Sequence, residues 1–103
     1  MNNMNKVFVE GKVVMSSIDF VKDEECYFTV KATRFYKKDG KGVTEEHFIP
    51  VRVESNLVGL VRGKFEQGKN EVRIEGRLDT TQGMMVKVDY IEFKKNYVEG
   101  DDE

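Results

Sequence analysis

The chain has 103 residues, of which 39% are hydrophobic and 35% charged, with a net charge of -2. This is enough for one small domain with a single core, too short for two independent domains, and too apolar for a disordered segment. No apolar run reaches the roughly 18 residues of a membrane span, and a single cysteine with a single histidine can neither close an internal disulfide nor assemble a four-ligand zinc site.

From the N-terminus, Met1 to Asn3 read as an extension ahead of a second possible start at Met4, and no apolar leader precedes the first strand, which predicts a cytosolic protein. Alternation begins at once, as expected where alternate side chains face a core. The first strand spans about Asn5 to Met15, with Val7, Val9, Gly11 and Val13 on one face and Phe8, Lys12 and Val14 on the other. Gly11 in mid-strand signals a bulge or sharp bend, which lets one strand serve both ends of a small barrel. Ser16, Ser17 and Asp19 read as a polar connection. The second strand, Cys26 to about Tyr36, points Phe28, Val30 and Ala32 inward and Tyr27, Thr29, Lys31 and Thr33 outward; Cys26 reads as a small core residue.

Lys37 to Gly42 forms a turn around Asp39-Gly40, since Gly and Asp tolerate positive φ. The third strand, about Thr44 to Glu54, sends Ile49, Val51 and Val53 inward and Phe48, Pro50 and Arg52 outward. Pro50 cannot donate to a ladder, so it marks an edge or a bulge. Ser55 is the expected N-cap of a helix ending near Glu66, whose apolar stripe is Leu57, Leu60, Val61 and Phe65. Val72, Ile74, Gly76 and Leu78 mark the fourth strand, and Met84 to Phe93 the fifth, joined by a turn at Gln82-Gly83. Inward parity switches between Val88 and Ile91, which predicts a bulge. The barrel domain occupies residues 1-95, and residues 96-103 form a short, flexible acidic tail carrying -4, so the body is mildly basic.

Charge is concentrated between Lys31 and Arg52. Lys31, Arg34, Lys37, Lys38, Lys41 and Arg52 face only Asp39, Glu45 and Glu46, for a local charge of +3, and Phe35, Tyr36 and Phe48 lie among them. Cations that track phosphates, interleaved with rings that stack on unpaired bases, suit a single-stranded nucleic acid; a duplex offers such rings nothing. His47 has no spacing partner and reads as structural, acidic residues show no calcium-loop spacing, and no nucleophile elbow or phosphate-cradling glycine loop is present, so no catalytic residue, metal or cofactor is assigned.

Three strands, a helix and two strands predict an all-β fold, a five-stranded Greek-key OB-fold barrel with one helix between strands three and four. Asn5-Lys6-Val7 with Gly11, Phe28-Thr29-Val30, Arg34 to Lys37, Phe48-Ile49, and Gly68 with Val72-Arg73-Ile74-Glu75-Gly76-Arg77-Leu78 follow one another along the chain in this order. In these segments the chain resembles the bacterial single-stranded DNA-binding proteins and their relative, the primosomal replication protein. The resemblance implies a cytosolic, nucleoid-associated protein that coats single-stranded DNA as a homodimer or homotetramer in replication, repair or mobile-element propagation, and works beside other replication proteins. It places stacking rings at Tyr36 and Phe48.

Glu54 stands where that family commonly has a third ring, and the loop between strands four and five is cut to Thr81-Gln82-Gly83, so binding is expected to be weaker and the site smaller. The family generally carries an apolar tip after its acidic tail residues, whereas Asp101-Asp102-Glu103 stand here without one, so tail-mediated recruitment is not expected. The expected interface is Lys31, Thr33, Arg34, Phe35, Tyr36, Lys37, Lys38, Phe48 and Arg52. Two alternatives stand beside it: a primosome-like protein-interaction module with weak nucleic-acid binding, and recognition of single-stranded RNA, which stacking alone does not distinguish from DNA.

Overall fold

A computed structural model describes residues 4-94. Five strands, β1 (Val7–Val21), β2 (Glu25–Lys38), β3 (Lys41–Glu54), β4 (Glu71–Asp79) and β5 (Met85–Phe93), close into a barrel in the order β1-β2-β3-β5-β4, with helix α1 (Leu57–Glu66) between β3 and β4. All pairings are antiparallel except β3 with β5, which run parallel through Val51↔Val86 and Arg52↔Lys87. This is the OB-fold barrel expected from the element order.

β1 closes the barrel by dividing its length. Val7 to Lys12 pair with β4, and from Lys12 onward the strand pairs with β2. Gly11 sits at the changeover because the β2 backbone passes so close that a Cβ there would lie 2.3 Å from the Lys31 carbonyl oxygen. The strand also runs to Val21, six residues beyond the expected end at Met15, with its register shift between Val14 and Asp19. Ser16, Ser17 and Asp19 are therefore strand and not a connection. Ser17 explains how: its hydroxyl donates to the Val14 carbonyl at 2.5 Å and accepts from the Thr29 N–H at 2.8 Å, which satisfies the ladder where the register slips.

The buried set follows the predicted alternation through Val9, Val13, Phe28, Val30, Val51 and Val53, joined by Val72, Ile74, Val86, Val88 and Ile91. Ala32 is only partly buried, because beyond it the β2–β3 hairpin leaves the barrel. On β5 the pairing jumps from Gly76↔Val88 to Glu75↔Tyr90, so Asp89 is the bulged residue that the parity switch predicted. The helix presents Val58, Val61 and Phe65 to the core, with Phe65 edge-on to both Phe28 and Phe93 at centroid distances of 5.4 and 5.6 Å. Leu60, expected on that stripe, is exposed, since the helix is rotated to put positions 58, 61 and 65 inward. Ser55 is not the N-cap either: it takes a left-handed φ of 58° and donates its N–H to the Glu24 carbonyl, and Asn56 precedes the helix without a side-chain cap bond. The expected tail, residues 96-103, lies outside the described residues.

Candidate nucleic-acid interface

The hairpin tip is tighter than the sequence pattern suggested. β2 and β3 stay paired up to Lys38↔Lys41, and only Asp39 and Gly40 turn, both at positive φ (54° and 78°). A two-residue turn fixes the register of the whole ribbon, and side chains of directly paired residues share a face. The pairs Lys31↔Phe48, Thr33↔Glu46, Phe35↔Thr44 and Lys37↔Gly42 put Lys31, Thr33, Phe35, Lys37 and Phe48 on one face, continuous with the outside of the barrel. The rings on that face are open to solvent, Phe35 by 76% and Phe48 by 59%. Lys31 has a loose ion pair with Glu46 at 3.7 Å.

Arg34, Tyr36 and Lys38 alternate onto the opposite face, paired with Glu45, Val43 and Lys41. The expected interface residues are thus divided, and Tyr36 does not share a face with Phe48. On its own face Tyr36 donates its hydroxyl to Glu45 Oε2 at 3.0 Å, and the Arg34 guanidinium lies 4.6 Å from its ring centroid. Arg34 and His47 lie 3.6 and 3.4 Å from Glu45 Oε1. The Tyr36 hydroxyl, and after it His47 and Arg34, hold the Glu45 carboxyl below the usual carboxylate range.

Arg52, expected outward beside Phe48 and Pro50, has the predicted parity but is only 7% exposed. Its Nη2 donates to Asp79 Oδ2 at 2.7 Å, and its Nε lies 3.3 Å from Glu54 Oε2 without hydrogen-bond geometry. Burial alone would lower the Arg52 pKa; the Glu54 charge, the Tyr27 hydroxyl and the Asp79 charge outweigh it and leave it raised. Asp79 also accepts the Thr81 N–H at 2.9 Å and the Thr81 hydroxyl at 2.7 Å. The guanidinium is therefore committed to the short β4–β5 turn, because residues far away in sequence fold over it.

An exposed apolar rim that the sequence pattern did not single out lies beside Phe48. Phe8, Leu78 and Met84 are 70%, 38% and 68% exposed and, with Phe48 and Pro50, line a shallow groove of about 430 Å³ at the barrel mouth. The outward parity of Phe8 was its only sequence signal. A second groove, of about 410 Å³, lies where β1 and the hairpin diverge and is lined by Lys12, Lys31, Thr33 and Phe35 together with Glu10, Glu71 and Lys94. Among the described residues, no His, Cys, Asp or Glu cluster could hold a metal ion, and no helix is long and apolar enough to cross a membrane.

No family model and no curated protein matches the chain in sequence. Solved structures do match it. A small single-stranded DNA-binding protein from Mycoplasma pneumoniae is 21% identical and aligns over 93% of this chain and 100% of its own, with a TM-score of 0.67. The Plasmodium falciparum SSB, solved in complex with ssDNA, is 17% identical over 92% of this chain and 98% of its own, with a TM-score of 0.73. The protein PriB from Ralstonia solanacearum is 7% identical over 90% of this chain and 100% of its own, with a TM-score of 0.63. At these identities the likeness is one of backbone: the chain is an OB-fold barrel built on the same plan as these proteins.

Proposed function

We propose that this protein is a non-enzymatic binder of single-stranded DNA that makes little use of sequence. One observation carries the reading: a single solvent-facing surface of the hairpin alternates cations and bare rings, with Phe35 and Phe48 exposed and Lys31 and Lys37 beside them. Exposed rings of that size have no role in the core, and their π-faces are what unpaired bases require. Bases stack on Phe48 and Phe35, phosphates pair with Lys31 and Lys37, and Thr33 offers a hydroxyl between them. Arg34, Tyr36 and Lys38 serve a strand that wraps the ribbon edge, where Glu45 competes with phosphate for Arg34. Arg52 holds the β4–β5 turn and leaves contact with the strand to its neighbours. The OB-fold neighbours named for single-stranded DNA binding, one of them in complex with it, support this reading. A homodimer or homotetramer fits β1, whose Val7 to Gly11 segment pairs with β4 alone.

The test is a titration of the full chain with a fluorescein-labelled thymine oligonucleotide at several salt concentrations, beside a matching duplex and a uridine oligonucleotide. Preferential binding of the single strand, with a log-log salt slope of about -0.7 per phosphate contact, is expected. The doubly reversed variant Lys31→Glu/Lys37→Glu should lose it while keeping the native melting temperature. Equal affinity for the duplex, or no binding at the lowest salt, would overturn the reading and turn attention to the primosome-like interaction module. Tighter binding to the uridine strand would replace DNA with RNA.

A further inference from the structure

The register places three residues in one lateral row across three strands: Lys12 on β1, Lys31 on β2 and Phe48 on β3. Adjacent strands lie about 4.8 Å apart, so the two lysines are direct cross-strand neighbours on one face, next to an exposed ring. Like charges directly opposite one another destabilise a sheet unless a counter-charge is shared. Among the described residues, Lys31 has only the loose pair with Glu46 at 3.7 Å, on the side away from β1. Lys12 makes no ion pair with any of them, although Glu71 is its partner on the β4 side. Glu10, the other acid in this groove, is taken up by Arg73 at 3.0 Å and by Lys94. Those two cations, Lys94 first and then Arg73, hold its carboxyl below the usual range.

Gly11 brings the two lysines together. Its missing side chain lets the Lys31 backbone cross β1 closely, since a Cβ would stand 2.3 Å from that carbonyl oxygen. Gly11 itself lines the groove, together with Lys12, Lys31, Thr33 and Phe35. We propose that Lys12 and Lys31 hold one shared phosphate of the bound strand, and that the strand leaves the hairpin across β1 at this point. The base attached to that phosphate rests on Phe48 at the end of the row. This inference rests on the single-strand reading above and deepens it: it adds a contact outside the hairpin and gives the path a direction onto the barrel body.

The experiment measures anisotropy of a labelled thymine oligonucleotide against salt for the full chain and for Lys12→Ala, Lys31→Ala, the double variant, and Lys64→Ala on α1 as a charge-matched control. Lys12→Ala is expected to lose about threefold to tenfold in affinity at low salt and to flatten the salt slope by up to about 0.7. Lys64→Ala should match the parent. Because the phosphate is shared, the double variant should lose less than the two single losses combined. If the parent binds and Lys12→Ala behaves like Lys64→Ala, the inference falls and the single-strand reading stands. Additive losses in the double variant would mean separate phosphates and would overturn the sharing. A parent that fails to bind at low salt would remove both.

Discussion

Adding a single methyl group at Gly11 and at Gly59 should move stability in opposite directions. At Gly11 the new Cβ would stand 2.3 Å from the Lys31 carbonyl oxygen and 2.9 Å from its carbon, where ordinary contact begins at 3.4 Å. The obstacle is backbone inside the closing seam of the barrel, so β2 must retreat by about 1 Å or β1 must bend away. Overpacking of this kind costs about 1 to 3 kcal/mol. For a domain of this size each kcal/mol moves the melting temperature by about 4 to 8 °C. A 2 kcal/mol loss would therefore lower it by about 8 to 16 °C. Gly59 is exposed in the first turn of α1, with nothing within 4 Å of its Cβ position. There alanine removes backbone entropy from the unfolded chain and should add about 0.5 to 1 kcal/mol, a rise of about 2 to 8 °C. Thermal denaturation followed by circular dichroism, with calorimetry as a check on two-state behaviour, measures both. A Gly11→Ala protein that melts with the parent would refute the account of the β1–β2 seam, and a Gly59→Ala protein that melts lower would refute that of α1.

Further outcomes follow from the site and from the ionised groups. Phe48→Ala should weaken oligonucleotide binding by about 1 to 3 kcal/mol, roughly fivefold to 150-fold, without lowering the melting temperature, since the ring is 59% exposed; anisotropy titration reads the first and calorimetry the second. Glu45→Gln should tighten binding by about twofold to fivefold at low salt, because it removes the carboxylate that faces Arg34 and Tyr36; weaker binding would show that Glu45 orders these residues instead. Burial pushes the Cys26 thiol up to about 11, so Ellman's reagent at pH 8 should react only as the protein unfolds in denaturant. Glu10, Glu45 and Asp79 all have carboxyls lowered in the folded state, by Lys94, by Tyr36 and by the Thr81 N–H respectively as the leading causes. A lowered folded pKa gives stability that is present above the unfolded value and lost as pH falls through the folded one. Urea midpoints should therefore be flat from neutral pH to about 5 and decline from about 4 downward.

What could be read from sequence depended on whether the deciding contact was local. The alternation of Val7, Val9 and Val13, of Phe28 and Val30, and of Val51 and Val53 directly reported a face buried on one side, and the parity break before Ile91 located the Asp89 bulge. The long β1 was hidden because Ser17 does with its side chain what the backbone ladder does elsewhere, so a polar stretch resembled a connection. Arg52 was assigned the correct face, yet its burial depends on Asp79, 27 residues away, which no local pattern reveals. The splitting of the interface was legible in principle. A two-residue turn at Asp39-Gly40 obliges Phe48 to face Lys31 and Tyr36 to face Val43; treating Lys37 to Gly42 as a loop left that register undefined.

The buried set contains nothing between Val30 and Val51, although β2 and β3 remain paired throughout that interval. The outer hairpin is thus a projecting arm whose ladder is held by cross-strand neighbours and not by the barrel. Its amides should exchange hydrogen by local fraying, while those of Phe28, Val30, Val51 and Val53 wait for the whole domain to open. Beyond Ile49 at its base, which packs against the core, such an arm can be shortened, lengthened or rewritten with little effect on the barrel beneath it. That makes it a portable recognition element, in which length and charge can be tuned as if on a separate part.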